Sequence, residues 1–291
     1  MGRFTRTAGR RYAWLCLTAL LSMGRATAVA AQADALEPLP HRFAVGGELG
    51  YFNDSQFASS VHVMTMRLFG EYAFDERWSL AGQYGVIGID SVPDRGSSET
   101  TACSGNPTLL GLRRGRAGAF DYVLGFGGAA PLAAIDRSGA GRLEHTAYNW
   151  AQAMTGWWDV WLWAPSRGAV LTVARLGLSP YPRLRLQAAV EPALMLPARE
   201  DFVYGDPVAL FVPVALSAAT QLGPVTPGFR VQAVVTTLGA DALQVSLQPW
   251  ARLQLGAGFL EVRYTVSVGE PLAGERGPGS WGLHVGSGGS L

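Results

Sequence analysis

Residues 243–255, LQVSLQPWARLQL, place apolar or small side chains at every odd position and polar or aromatic ones (Gln244, Ser246, Gln248, Trp250, Arg252, Gln254) at every even one. Side chains alternate across a strand, so this segment predicts a β-strand with one greasy and one wet face. Its length exceeds the roughly 5 to 6 residues of an ordinary soluble strand and slightly exceeds the roughly 9 to 11 that a tilted strand uses to cross a bilayer. The same period recurs along the chain. It predicts strands at 42–52, 61–74, 78–89, 107–114, 119–129, 168–178, 183–196, 208–221, 228–238, 242–255, 258–268 and 280–286. Apolar faces such as Met64, Met66, Leu68, Tyr72 and Phe74, or Leu184, Leu186, Ala188 and Val190, oppose faces that carry Arg67 and Glu71, or Arg183, Arg185, Gln187 and Glu191. A soluble two-layer sandwich also alternates, but it has no need to exclude charge from one face and repeat it on the other.

The connections between these strands also alternate. If the first strand runs outward, those at 75–77, 115–118, 179–182, 222–227 and 256–257 are periplasmic, and all are short. Those at 53–60, 90–106, 130–167, 197–207 and 269–279 are extracellular and longer, with Gly239-Ala240-Asp241 the one tight exception. Short inner turns and long outer loops characterise transmembrane barrels, and an even strand number leaves both ends of the chain on the periplasmic side. Tyr51, Trp78, Phe120, Phe229 and Trp281 lie near strand ends, as interfacial girdle residues would. The expected fold is therefore all-β: an antiparallel up-and-down transmembrane β-barrel of about 12 strands over residues 42–291, with a helical, Trp-rich extracellular loop.

The N-terminus says how such a barrel would be delivered. Arg3, Arg6, Arg10 and Arg11, an apolar stretch from Tyr12 to Met23, and the small residues Ala28-Val29-Ala30 or Val29-Ala30-Ala31 compose a secretory signal, expected to be cleaved after residue 31. Residues 32–41 are then a short periplasmic segment, and the outer membrane of a Gram-negative bacterium is the expected location. Cys103 is the one cysteine left, expected to be a free surface thiol without a role. All 23 basic residues are Arg; five depart with the leader, leaving eighteen against 22 acids, a net charge near −4. That balance argues against nucleic acid as a partner. The expected partners are membrane lipid, the outer-membrane barrel assembly machinery and a small solute.

Two segments, GEYAFDERWSLAGQYGV at 70–86 and GNPTLLGLRR at 105–114 followed by FDYVLGFGGAAPLA, make the chain resemble bacterial outer-membrane barrels of the FadL-like and phenol-degradation (MetA-pathway) type. The likeness covers the barrel pattern over most of residues 42–286. It implies passive uptake of small hydrophobic or aromatic molecules across the outer membrane.

The connection 130–167 carries five of the nine Trp residues. Leu143, Ala147, Trp150, Ala151, Met154 and Trp158 recur at helical spacing, with Glu144, His145, Asn149 and Gln152 elsewhere around the helix. We expect this helix to pack externally on the rim with its Trp residues at headgroup level, the alternative being a gate of Trp150, Met154, Trp157, Trp158 and Trp161 folded over or into the pore mouth. Trp157, Trp161 and Trp163 also fit an extension of the following strand. Expected on the inner wall are Arg67, Glu71, Arg183, Arg185, Gln187, Glu191, Gln244, Gln248, Arg252, Glu261 and Arg263, whose mixed charges either pair across the lumen or set its selectivity. No catalytic set is expected: outer-membrane lipases place His and Ser two residues apart, and only Ser60-Val61-His62 approaches this, in reversed order. No Cys/His cluster has metal-site spacing, no cofactor is expected, and Gly125-Phe126-Gly127-Gly128 lacks the Lys of a phosphate loop. The sequence thus predicts a channel for small hydrophobic or amphipathic solutes, with a closed structural barrel as the alternative and a lipase as a weaker third.

Overall fold

The computed structural model describes residues 43–54, 59–93, 98–135, 141–198, 208–237, 243–256, 258–268 and 281–290. The leader, residues 32–41 and the connection at 239–241 lie outside the described residues. The strands are β1 (Phe43–Asp54), β2 (Ser59–Ala73), β3 (Trp78–Pro93), β4 (Glu99–Ser104), β5 (Thr108–Ala117), β6 (Phe120–Ala129), β7 (Arg167–Tyr181), β8 (Leu184–Val190), β9 (Ala193–Pro197), β10 (Ala209–Thr220), β11 (Val225–Thr236), β12 (Leu243–Leu255), β13 (Gly258–Val268) and β14 (Trp281–Ser290). Between β6 and β7 lie one helix, α1 (Gly141–Met154), and a short 3-10 helix (Val160–Trp163). Every pairing is antiparallel, and the sheet returns on itself where β14 meets β1. β4 and β5 both pair with β3, and β8 and β9 both lie between β7 and β10, so each couple forms a single stave. The result is a closed barrel of 12 staves, the expected architecture and count.

The breaks in these staves have local causes. Gly105, Asn106 and Pro107 stand opposite only Tyr84 and Gly85, so the register shifts by one residue between β4 and β5. Such a bulge bends a strand and re-aims a side chain, here Asn106. Its Gly and Pro concealed β4, which the sequence reading leaves inside the 90–106 connection. Pro192 separates β8 from β9 without a register change, because the Thr172 N–H donates to its carbonyl and the Glu191 N–H donates to Pro213 O, both at 3.0 Å. Pro249 has no N–H, and the β12–β13 ladder lapses between Leu247 and Trp250.

The two faces follow the alternation. In β12, Gln244, Ser246 and Gln248 are buried, whereas Leu243, Leu253 and Leu255 are exposed on the outside. Tyr72, Phe74, Trp78, Phe120 and Tyr181 are exposed near the end that carries the tight turns, and Tyr51 is exposed towards the other. Phe229 is also exposed, while the side chain of Trp281 lies outside the described residues. In the turn between β2 and β3, Asp75 accepts from the N–H groups of Arg77 and Trp78, both at 2.7 Å, and these bonds hold its carboxyl below the usual carboxylate range. Among the described residues no helix is long and apolar enough to cross a membrane, so any crossing belongs to the strands.

Candidate functional site

The barrel interior is occupied by residues 141–164 of the chain's own β6–β7 connection. From Ala129 the chain turns inward, α1 descends through the interior, a turn at Thr155–Trp158 forms the tip, and the 3-10 helix leads back to Arg167. Ala147, Trp150, Ala151, Met154, Trp157, Trp158, Val160, Trp161, Leu162 and Trp163 are all buried. This corrects the expectation of an external helix on the rim. The physical reason is the inner wall of β1 to β4, where Phe52, Val63, Ile87, Ile89 and Cys103 offer an apolar surface against which the helix packs. Phe52 stacks on Trp150 with ring centroids 3.9 Å apart. Trp157, Trp161 and Trp163 do not extend β7, since they lie in the tip turn and the 3-10 helix. Cys103, expected at the surface, is buried beneath the plug.

Polar side chains hold the plug at defined points. Asn106, fully buried at the bulge, donates to the carbonyls of Trp161, Ala164 and Arg167 at 2.9, 2.7 and 3.0 Å and accepts from the Ala133 N–H at 2.8 Å. One amide thereby satisfies backbone groups at both ends of the loop. A Cβ on Gly85 would overlap the Trp163 ring, so the absent side chain makes the slot for that indole. At the tip, Gln232 donates to Thr155 O at 2.7 Å and Gly156 O at 3.0 Å. Gly156 has a φ of 63°, and a Cβ there would meet Gln232 and Ser246 of the wall.

Ion pairs gather where β13, β14, β1 and β2 lie side by side. Glu48 accepts from Arg67 at 2.8 Å, from Arg263 and from His284, whose Nδ1 lies 2.9 Å away. Arg67 also pairs with Asp159 of the plug, and His284 Nε2 lies 2.8 Å from the Met154 carbonyl at the end of α1. Elsewhere Glu71 is buried with Arg114 and Ser79, Arg175 donates to Glu191 at 2.7 Å, and Arg252 donates twice to one oxygen of Glu261, at 3.0 and 2.7 Å.

Of the expected wall residues, Arg67, Glu71, Glu191, Arg252, Glu261 and Arg263 therefore stand in ion pairs on the inward face. Gln244 is buried at the upper wall, and Gln248 donates to Thr265 Oγ1 at 3.2 Å. Arg183, Arg185, Gln187, Gln248, Arg252, Glu261 and Arg263 come together around a vestibule of about 330 Å³ beneath the plug, open towards the short turns. Trp250 and Arg230 complete it, and the Arg230 guanidinium sits 3.9 Å from the ring centre of Trp158 in the tip. Sequence reasoning missed Glu48, Asn106, Arg114, Asp159, Arg175, Arg230, Gln232 and His284. Alternation within their strands already placed Glu48, Arg114, Arg175, Arg230 and Gln232 inward, whereas Asn106 and Asp159 depend on a bulge and a loop path that carry no periodic signal.

The remaining candidates separate cleanly. His62 lies 3.1 Å from the Tyr51 hydroxyl, and the Ser60 side chain lies outside the described residues. His145 pairs with Asn149 within α1. Among the described residues no group of three or more His, Cys, Asp or Glu is placed to hold a metal ion. Gly125 and Gly127 sit where a Cβ would strike Leu112 and the Leu109 carbonyl, which accounts for the glycine run by crowding.

No protein-family model and no curated protein matches this chain. Among solved structures it is similar to an outer membrane channel from Pseudomonas putida F1, with a TM-score of 0.57, 13% identity, and coverage of 88% of this chain and 97% of that one. It is also similar to the NanC porin, with a TM-score of 0.51, 9% identity, and coverage of 85% and 100%. At these identities the likeness concerns the fold: a closed antiparallel barrel of 12 staves, of the kind that bacterial outer-membrane proteins adopt.

Proposed function

We propose that the chain is an outer-membrane channel for small amphipathic solutes, with the inserted β6–β7 connection as its gate. The observation that carries this reading is the polar vestibule, which lies inside a barrel whose outside is apolar and ends upward against the tip of a loop from the same chain. Exposed Leu, Val, Phe and Tyr around the barrel form a surface suited to lipid. On this reading residues 1–31 direct export, the assembly machinery inserts the barrel, and the tight turns face the periplasm. The likeness to a channel and a porin favours conduction over the lipase reading, although such a likeness bears on fold first.

A second reading, a closed structural barrel, is favoured by the depth at which the plug is buried and the number of its polar anchors. The two separate in planar bilayers. Ala129 and Ala169 face each other across the β6–β7 ladder, so a short Gly-Ser loop can replace residues 131–166. For a gated channel the intact protein gives discrete currents and swelling of liposomes in small solutes, and the loop replacement raises conductance several-fold. A silent intact protein beside a conducting replacement would establish the structural barrel instead.

A further inference from the structure

We propose that the vestibule is a binding site for a small organic anion, a carboxylate or sulfonate on a compact apolar body, and that this is the solute class the barrel admits. The proposal rests on the channel reading and narrows it. Five arginines (Arg183, Arg185, Arg230, Arg252 and Arg263) line the cavity, against one carboxylate, Glu261. The chain that remains after the leader is acidic, so a wall this rich in Arg departs from the composition of the rest of the molecule. Charges of one sign around a concave site with low-dielectric walls focus their field and raise the local concentration of the opposite ion.

The geometry also fits the ligand's two parts. A guanidinium presents a planar fork that meets a carboxylate through two parallel hydrogen bonds, which a compact ammonium does not. Glu261 braces Arg252 within the wall, and Glu48, one layer above, braces Arg263, so these guanidinium groups are held in place before a ligand arrives. The Trp250 ring, with Ala189 and Ala215, supplies an apolar patch in the same cavity. Its volume of about 330 Å³ stands at the low end of the roughly 300 to 1,000 Å³ of small-molecule sites, which suits a single-ring acid.

Titration calorimetry on the refolded full-length barrel in detergent tests this with benzoate, benzyl alcohol, benzylamine and inorganic sulfate as probes. Benzoate is expected to bind at least about tenfold more tightly than the alcohol or the amine, and the Arg183→Gln/Arg185→Gln variant to lose about tenfold or more of benzoate affinity. A thermal melt of that variant, unchanged from the parent, assigns the loss to the site. Equal binding of alcohol and acid, or an unchanged affinity in the variant, overturns the proposal. Sulfate binding as tightly as benzoate would also overturn it, by leaving a general anion site with no role for the ring. Channel currents are read separately: conduction without benzoate binding leaves the channel reading standing and removes this one, whereas benzoate binding in a silent barrel keeps the binding site but removes the channel reading and, with it, the claim that the barrel admits this solute class.

Discussion

Asn106 is one buried side chain of the barrel wall that serves four backbone partners, which makes it the most consequential single residue for holding the plug. Removing its amide takes away two N–H donors shared among three carbonyls and the acceptor of the Ala133 N–H, and each unsatisfied buried group costs about 1–3 kcal/mol. Asn106→Ala is therefore expected to destabilise the barrel by about 3 kcal/mol or more, read as a lower urea midpoint in detergent micelles. An unchanged midpoint would mean that the loop is not anchored there. Gly156→Ala acts at the opposite end of the plug. Its backbone lies in the left-handed region and its Cβ has no room beside Gln232 and Ser246, so a loss of about 1–3 kcal/mol is expected, together with leakier liposomes. Glu48→Ala strips the common carboxylate from Arg67, Arg263 and His284. Arg67 keeps Asp159, but removing the carboxylate shared by this part-buried cluster is expected to cost about 3 kcal/mol, a larger midpoint shift than that of an exposed pair such as Arg116 with Asp121.

At the scale of elements, strands were legible because alternation survives any particular contact. The 12 staves, the inward side of each and the tight turns all follow from period two in the residues themselves. Where chain geometry left that period, legibility ended: β4 was hidden behind Gly105 and Pro107, and the register shift there could not be read. The helix was also legible, from Leu143, Ala147, Trp150 and Met154, but its destination was not. Amphipathic spacing states that a face must be covered and leaves open what covers it. The inward apolar residues of β1 to β4 contained the answer, since an upper lumen lined by Phe52, Val63, Ile87 and Ile89 needs an apolar occupant. A measurement separates the rim from the interior. In a variant with Trp78, Trp250 and Trp281 changed to Phe and the leader removed, only the five plug Trp residues remain. Brominated lipid is expected to leave their fluorescence almost unquenched, whereas strong quenching would put the helix back at the headgroups.

For the whole molecule, charge is sorted by depth. Apart from the fully buried Arg167 at the outer end of β7, apolar contacts dominate the upper interior, a belt of ion pairs from Glu48, Arg67, Arg263 and Asp159 crosses the middle, and arginines concentrate in the vestibule below. Such sorting gives the barrel a direction, because a solute that enters from the short turns meets cations first and the plug afterwards. Reversal potentials in a salt gradient should accordingly report anion preference in the intact protein and a weaker preference in Arg183→Gln/Arg185→Gln. Equal permeability to both ions of the salt in the intact protein would contradict it.

The meeting of β1 with β14 carries one more consequence, which concerns time. Glu48 and His284 are 236 residues apart in sequence, and they meet only when the first strand and the last have found each other. The plug tip then touches both sides of that junction, through Asp159 to Arg67 and through the Met154 carbonyl to His284. Contacts of such long sequence separation form late and slowly. The plug should therefore lock after the cylinder has shut, with His284 as the residue that senses the event. Refolding into vesicles, followed by plug Trp fluorescence and by gel migration of the folded barrel, should resolve two successive phases, and His284→Ala should slow or abolish the second while sparing the first.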